Sequence, residues 1–240
     1  MRLNWQLALL VTVALGSRMA LGAEAAEGEP DRRTIAVMYF QNNALMNREA
    51  MAPLEKGLTD MLITELSKIQ ALKVVERAQL QELMKEMGLG ASGAIDPATA
   101  QNMGKLLGAE TLLLGSFATD MSGEKIRIDA RIVEVETGVT LKAEEMTDKT
   151  KSLFKMISKL AKKIAKELDV QITRDDEQRL KKPENDSFQA AMFYSKGLDA
   201  EDEEEFEKAL EMYQKALEIN PDYTKAKARI EEIEEELGEG

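Results

Sequence analysis

The sequence predicts an α/β (α+β) sandwich, in which a mixed sheet is covered by helices, followed by a small all-α helical module. Up to residue 169, apolar runs of strand length alternate with longer segments of helical periodicity. Beyond residue 187 only helical spacing remains. The charge also changes along the chain, because residues 184–240 hold 18 acids and 6 bases, which accounts for the whole net charge of −12. The sequence therefore predicts two modules with different surfaces.

The first elements alternate between strand and helix. The continuous apolar run Ile35–Phe40 is typical of a strand buried on both faces. A helix is expected from about residue 48 to 69, since Pro53 is tolerated only in a first turn. Residues 72–75 predict a second strand, and apolar spacing predicts a helix over 80–87. Asp96-Pro97, an N-cap residue followed by proline, opens a further helix that ends near Gly108.

Three consecutive strands complete the predicted sheet, over residues 112–118, 126–133 and 139–146. Sequential strands joined by short turns should be antiparallel neighbours. The alternation slips at Ile132-Val133, which indicates either a bulge or burial on both faces. A last helix over 153–168 closes a domain predicted to span 31–169. Residues 170–186 are predicted to be a linker, and 187–237 the helical module.

The amino-acid composition excludes several classes of function. The chain of 240 residues contains no histidine and no cysteine. Disulfides, thiol nucleophiles, thiolate metal sites, a lipid-modified cysteine and histidine-based catalysis are therefore excluded. We find no coherent acid–base pair among the remaining residues, so the sequence predicts a non-enzymatic protein without cofactor or metal. The net charge of −12 argues against nucleic acid as a partner.

The first 25 residues resemble a secretory signal. Arg2 precedes an apolar run from Leu7 to Gly16, and Ala23-Glu24-Ala25 is a small-residue cleavage site. Cleavage after Ala23 or Ala25 remains open, and an uncleaved amphiphilic anchor is the alternative. No later apolar stretch is long enough to span a bilayer. We therefore expect a periplasmic protein, and a peripheral association with the outer membrane stays open.

The predicted sheet domain resembles the CsgG-type domain of curli assembly and transport proteins. The matching segments occur in family order and cover almost all of residues 31–169. They are Ile35–Asn42, Gly57–Leu62, Val74–Leu80, Gly108–Glu110 with Gly115-Ser116, and Val133–Gly138.

This resemblance implies a non-catalytic envelope module, related to amino-terminal TolB-like domains and to lipoprotein activators of penicillin-binding proteins. The curli channel adds two long membrane hairpins to the domain. The corresponding connections here, residues 117–125 and 146–151, are too short to hold a membrane strand of about 9–11 residues. The sequence therefore predicts the soluble platform of the family without its membrane hairpins.

The helical module resembles a tetratricopeptide repeat over about 34 residues. Small residues at three positions allow helices to approach closely, and larger ones fill the space between them. These positions, which are also the candidate protein-binding residues together with Tyr223, are Phe193, Gly197, Phe206, Ala209, Tyr213 and Ala216. Partner contact is expected in a groove lined by Phe193, Tyr213 and Tyr223.

A single repeat cannot bury a full core, since about three are normally needed. The module should therefore dock on the sheet domain, self-associate or bind an apolar partner segment. A capped helical hairpin without a ligand is the alternative interpretation.

Three charged segments have structural interpretations. The acids of Glu201–Glu205 are predicted to form a solvated turn, and Glu76-Arg77 an ion pair or cap at a strand-to-helix corner. The last helix of the sheet domain packs its apolar stripe on the sheet and exposes lysines. Contact of these lysines with an anionic membrane, an acidic partner or the acidic repeat remains open. They are Lys149, Lys151, Lys155, Lys159, Lys162, Lys163 and Lys166.

The sequence leaves three functional hypotheses in order. The first is an assembly or secretion platform in the envelope, with a repeat that docks other proteins. The second is a ring-forming, homo-oligomeric transport component associated with the outer membrane. The third is a regulator of a cell-wall synthase. In each case the partner is a protein.

Overall fold

A mixed six-stranded sheet organises the first half of the described chain. The computed structural model describes residues 32–89, 95–181 and 187–238. The strand order is β3-β1-β4-β5-β6, with β2 pairing to β4 beside β1. β1 runs parallel to β3 and β4, whereas β4, β5 and β6 are antiparallel neighbours, as predicted. The strands are β1 (Arg33–Val37), β2 (Gln41–Asn42), β3 (Leu72–Val74), β4 (Thr111–Thr119), β5 (Lys125–Glu134) and β6 (Thr140–Lys149).

Helices cover both faces of this sheet and continue to the end of the described chain. Ile35 and Val37 face a core shared with α2 and α5, whereas Ala36 and Met38 face a second core shared with α3 and α4. Burial on both faces explains why the first strand is a continuous apolar run. The helices are α1 (Arg48–Met51), α2 (Leu54–Ser67), α3 (Arg77–Glu86), α4 (Pro97–Leu106), α5 (Leu153–Glu167), α6 (Arg174–Leu180), α7 (Phe188–Asp202), α8 (Phe206–Ile219) and α9 (Thr224–Gly238).

Local sequence signals place several boundaries correctly. The Asp96 carboxylate accepts hydrogen bonds from the backbone N–H groups of Ala98 and Thr99, both at 3.0 Å, and caps α4. Gly108 follows this helix with φ of 65°, a conformation that glycine adopts without strain. Ile132 lies in the core shared with α2 and α5 and Val133 in the core shared with α3 and α4, so the predicted slip in alternation is burial on both faces. The register of the β5–β6 pair also shifts at this point, where Leu141 of β6 is passed over.

The described part of the predicted linker, residues 170–181, contains the helix α6. Thr173 and Asp176 cap this helix reciprocally, each side chain accepting from the backbone N–H of the other. Leu180 is buried, and its carbonyl accepts a hydrogen bond from the Ser158 hydroxyl of α5 at 3.0 Å. This helix therefore packs on α5. The described residues from β1 to α6 are called the platform here.

The amino-terminal prediction concerns residues without a structural description. The signal peptide proposed for residues 1–25, and Asp31 at the proposed domain start, lie outside the described residues. Within the described ranges, no helix combines the length and the apolar character needed to cross a membrane.

A buried carboxylate holds α6 in place. Asp176 is completely buried and accepts hydrogen bonds from the backbone N–H of Thr173 at 2.9 Å and of Gln70 at 3.2 Å. Arg179 also pairs with it. Burial by itself would raise the pKa of Asp176, but these hydrogen bonds and the Arg179 guanidinium lower it below the usual range for aspartate.

We predict that Asp176→Asn makes the stability of the protein less dependent on acid pH. A carboxyl group whose folded-state pKa is lowered stabilises the fold above its unfolded pKa of about 3.9, and this stabilisation is lost as the pH falls through the folded pKa. The variant should lose about 1.5 to 3 kcal/mol at pH 7, the usual range for a hydrogen bond to a charged group. Denaturant unfolding between pH 7 and 3 measures the difference, which should shrink towards acid.

The matched control for this prediction is Asp175→Asn, because Asp175 lies exposed on the same helix. It should leave the unfolding free energy and its pH dependence unchanged. A constant difference between Asp176→Asn and wild type across this pH range would contradict the assignment.

Candidate functional site

The last three helices form a hairpin with a capping helix, called the repeat module here. α7 and α8 pack closely because Gly197 lies against the Tyr213 ring, where a Cβ on residue 197 would approach Cε1 to 2.3 Å. Ala209 and Ala216 are buried in the same contact. α9 packs on α8. The small and large positions of the predicted repeat thus have the packing roles that their spacing indicates.

The repeat module lies directly on the platform through a helix–helix contact. α7 packs along α2, and Gly57 of α2 lies directly against Ser195 of α7. A Cβ at position 57 would lie 1.8 Å from the Ser195 hydroxyl oxygen and 2.8 Å from the Ser195 Cβ. Only glycine therefore fits on the α2 side of this contact. Packing densities of protein interiors leave no slack for an added methyl group here.

A row of aromatic rings continues the contact into the core. Phe154 of α5 meets Tyr223 edge-on, with centroids 5.9 Å apart. Tyr223 in turn lies 4.9 Å from Tyr194, and Tyr194 lies 5.5 Å from Tyr213. All four rings are buried. Because these residues come from α5, α7, α8 and the loop before α9, the row joins the platform to each part of the repeat module.

One buried carboxylate of the platform binds two side chains of the repeat module. Asp60 of α2 is 3 % exposed. It accepts a hydrogen bond from the Tyr194 hydroxyl at 2.9 Å and pairs with the Lys225 ammonium at 3.0 Å. Burial raises the pKa of Tyr194 well above its usual value, and the charge of Asp60 adds to the shift, so the phenol stays a donor.

A buried ionic cluster completes the interface. Arg77, at the start of α3, pairs with Asp202 at 2.7 Å and with Glu201 at 3.5 Å. Lys56 of α2 pairs with Asp202 at 2.8 Å and with Asp199 at 3.0 Å. Arg77 and Lys56 are only 3 % and 5 % exposed. We call these five residues the ionic cluster: two cations from the platform and three carboxylates from the end of α7.

The opposite charges of the ionic cluster shift the pKa values of its members. Burial would lower the pKa of Lys56, but hydrogen bonds and charge from Asp202 and Asp199 raise it above its usual value. Burial would also lower the pKa of Arg77, but the charge and hydrogen bond of Asp202, together with Tyr39 and Asp60, raise it above its usual value. Burial raises the pKa of Asp199 although Lys56 opposes the shift. The surrounding carboxylates therefore favour the charged form of both cations.

These contacts hold the platform and the repeat module as one body. Removing one partner of a buried ion pair costs about 3–5 kcal/mol, since the other charge is left without compensation. The described residues from β1 to α9 accordingly belong to one compact unit. At this interface the side chains pack against one another and the buried charges are paired. In the ranges that the structure describes, no group of three or more acidic side chains is placed to hold a metal ion.

The structure corrects the expectation of an open groove at Phe193, Tyr213 and Tyr223. Tyr213 and Tyr223 are buried in the aromatic row, because the single repeat uses the platform to cover its apolar face. Phe193 is half-buried at the edge of the same core, beneath the Lys196 ammonium at 5.6 Å. Of the other candidates, Gly197, Ala209 and Ala216 are buried and Phe206 is half-buried. All seven thus contribute to packing.

Two interpretations of charged segments were wrong in part. The run Glu201–Glu205 is not wholly solvated, because the Asp202 side chain is 6 % exposed and that of Glu201 17 %. Arg77 finds its partners on α7, not in neighbouring Glu76, which lies at the N-cap of α3 and makes no side-chain cap. The acids at the end of α7 pair with Lys56 of α2, Arg77 of α3 and Arg229 of α9.

The open surface beside the interface is a polar groove that sequence reasoning missed. It has a volume of about 640 Å³ and lies between the start of α2 and the helices α7 and α8. The lining includes the ion pair of Lys56 and Asp199 and the apolar side chain of Met212. Its residues are distant in sequence, so no local pattern indicates it. The remaining lining residues are Arg48, Ala52, Glu55, Lys196, Ala200, Glu203 and Lys208.

The geometry defines an α/β platform that carries one docked helical repeat. Residues 19–124 match the family model described as curli production assembly/transport component CsgG. Residues 190–223 match the tetratricopeptide repeat. The chain therefore carries a CsgG domain followed by a tetratricopeptide repeat, as the sequence motifs predict. A comparison with curated proteins found no match.

Several solved structures are similar to part of this chain. The LpoB C-terminal domain from Salmonella enterica is 16 % identical, with 51 % of this chain and 87 % of that one covered and a TM-score of 0.34. Lipoprotein GNA1162 from Neisseria meningitidis is 15 % identical, with coverages of 55 % and 96 % and a TM-score of 0.40. The PelC dodecamer from Paraburkholderia phytofirmans is 15 % identical, with coverages of 59 % and 91 % and a TM-score of 0.38.

We predict that Gly57→Ala destabilises the protein and that Ser195→Gly restores much of the loss. At an open helical site alanine would stabilise by roughly 0.5–1 kcal/mol relative to glycine. Here the added methyl group overlaps Ser195, and overpacking costs about 1–3 kcal/mol. The double variant moves the glycine to the opposite helix and should be more stable than Gly57→Ala alone. Denaturant unfolding of both single variants and the double variant gives the coupling energy.

Ser195→Gly alone serves as the control and should cost only about the 0.5–1 kcal/mol of a helical glycine. Stabilisation by Gly57→Ala, or simple additivity of the two changes, would show that α2 and α7 do not meet at this point.

Proposed function

We propose that this protein is a non-enzymatic protein of the cell envelope, in which the CsgG domain serves as an assembly or secretion platform and the repeat docks other proteins. Two observations support the proposal. The chain combines a CsgG domain with a tetratricopeptide repeat, and repeats of this kind present binding surfaces to other proteins. The amino-terminal pattern of residues 1–25 supports export to the periplasm.

The observation that carries the proposal is the fixed position of the repeat. A hairpin held by the aromatic row, by Asp60 and by the ionic cluster cannot swing freely on a linker. Its partner surface is then preorganised, and a preorganised surface loses less conformational entropy when a partner binds.

We place the partner contact in the 640 Å³ polar groove between α2, α7 and α8. Both the platform and the repeat line it, so a partner there would contact both halves of the protein. The lining holds four bases and three acids, so the groove carries a net charge of +1. Arg48, Lys196 and Lys208 offer cations to a partner, whereas Met212 offers an apolar contact. A protein segment with acidic side chains around one apolar residue fits this lining.

We predict that photo-cross-linking amino acids at positions 196 and 212 will capture one discrete partner in the native envelope. The control position is 105, because Lys105 lies exposed on α4, a helix of the other sheet face. The captured protein is then purified. Its affinity for Arg48→Glu/Lys196→Glu should fall about tenfold or more, since like charges across an interface repel. Lys73→Glu/Lys105→Glu makes the same charge change elsewhere and should bind as wild type.

Equal cross-linking at positions 196 and 105, or equal binding by both double variants, would contradict the proposed contact. Deletion of the repeat is a poorer test, because it would expose the apolar face of α2. Capture of a second copy would favour the ring-forming transport component instead. Capture of a cell-wall synthase whose rate changes on binding would favour the regulator.

A further inference from the structure

A pocket of about 220 Å³ lies on the sheet beside the start of α4. Gly104 of α4 packs on Leu112 of β4, which is completely buried. Leu114 and Ser116 follow on the same face of this strand, are only half-buried and line the pocket. The described lining residues all belong to the platform, so this pocket is separate from the 640 Å³ groove beside the repeat module.

One side of the pocket is apolar. Met38, Ile95 and Leu114 line it, and all three lie in or against the core that α3 and α4 share with the sheet. An apolar protein cavity of about 150 Å³ holds one benzene molecule, so this volume has room for about one aliphatic side chain. It is smaller than the roughly 300–1,000 Å³ of pockets for drug-sized ligands. The pocket therefore fits a small molecule or one residue of a larger one.

The other side of the pocket is polar. Among the described residues, the side chains of Gln41, Ser116 and Arg131 form neither a hydrogen bond nor an ion pair. Gln41 and Ser116 are paired residues of β2 and β4, so their side chains lie beside each other on one face of the sheet. Arg131 of β5 is paired with Leu114 in the same way. Hydrogen-bond donors and an aliphatic surface thus meet at one place.

Asp129 also lines the pocket, but its charge is already compensated. Both oxygens of its carboxylate accept hydrogen bonds from the Arg127 guanidinium, at 2.7 to 3.1 Å. Arg131 is therefore the lining charge that remains for a ligand. A guanidinium has five N–H donors and no acceptor, and its planar fork matches a carboxylate through two parallel hydrogen bonds.

We propose that this pocket binds a small carboxylic acid that carries one aliphatic side chain. The Arg131 guanidinium binds the carboxylate, and Gln41 and Ser116 bind the polar atoms next to it. Met38 and Leu114 contact the aliphatic side chain. A free acid and the carboxyl-terminal residue of a peptide both present this chemistry.

Other classes of ligand match only one side of the pocket. A purely apolar ligand would cover three polar side chains without giving them partners, which costs free energy. An inorganic anion such as phosphate would leave the aliphatic side in contact with water. A multiply charged ligand would also be repelled by the Asp129 carboxylate.

The test is a nuclear magnetic resonance titration of the full chain with N-acetyl-L-leucine. We expect the backbone amide signals of Gln41, Leu114, Ser116 and Arg131 to shift, with a dissociation constant of about 1 mM, since the ligand has few atoms. N-acetyl-L-leucinamide lacks the carboxylate and acetate lacks the side chain, so each should bind about tenfold more weakly or less. N-acetyl-Gly-Gly-Leu separates the two sources, because tighter binding than the free acid assigns the pocket to a peptide end and weaker binding assigns it to a free acid.

Two variants and a control accompany the titration. Arg131→Gln should weaken binding of N-acetyl-L-leucine by about tenfold or more and leave that of N-acetyl-L-leucinamide unchanged, since only the acid uses the charge. Ser116→Leu fills part of the pocket and should abolish the shifts with every probe. Arg174→Gln removes an exposed arginine of α6 and should bind as wild type. Well-dispersed amide spectra confirm that each variant is folded.

Three results would overturn the proposal. The first is a wild-type spectrum that N-acetyl-L-leucine leaves unchanged at these amides. The second is equal affinity for the acid and its amide, or equal affinity of Arg131→Gln and wild type for the acid. The third is an equal response to acetate or inorganic phosphate, which would show a simple anion contact without a role for the aliphatic side.

Discussion

The close approach of α2 and α7 at Gly57 and Ser195 is the constraint on which the rest of the structure depends. It brings the end of α7 within reach of Arg77 and Lys56, and it places the Tyr194 hydroxyl on Asp60. Buried charges are tolerated only where geometry is good and partners are complete. If the helices were held further apart, the ionic cluster would lose its short distances and its cations would be buried without compensation.

This constraint explains how a single repeat persists in a folded chain. An isolated tetratricopeptide hairpin lacks the neighbours that normally cover its apolar face. Here α2 and α5 replace the missing repeat, and Phe154 extends the aromatic row of the hairpin into the platform. The cost is that Tyr213 and Tyr223 become core residues, so any partner must use the rim of the repeat or its outer helices.

Local chemistry made most of the platform predictable from sequence. The apolar run Ile35–Phe40, the Asp96 cap and the slip at Ile132-Val133 each act within a few residues. Thr173 and Asp176 also form a recognisable capping pair, which could have predicted α6 inside the presumed linker. The interface between the platform and the repeat module could not be predicted from local sequence patterns. Arg77 and Asp202 are 125 positions apart, and nothing near either residue in the sequence indicates the other.

The central claim is that platform and repeat module unfold as one cooperative body, and native-state hydrogen exchange tests it most directly. The measurement compares the opening free energies of backbone amides in α2 with those in α7 as denaturant is raised towards the unfolding transition. The account predicts that the most protected amides of both helices converge on the same global value. A clearly lower opening free energy throughout α7, with α2 still at the global value, would show an independently unfolding repeat and contradict the account.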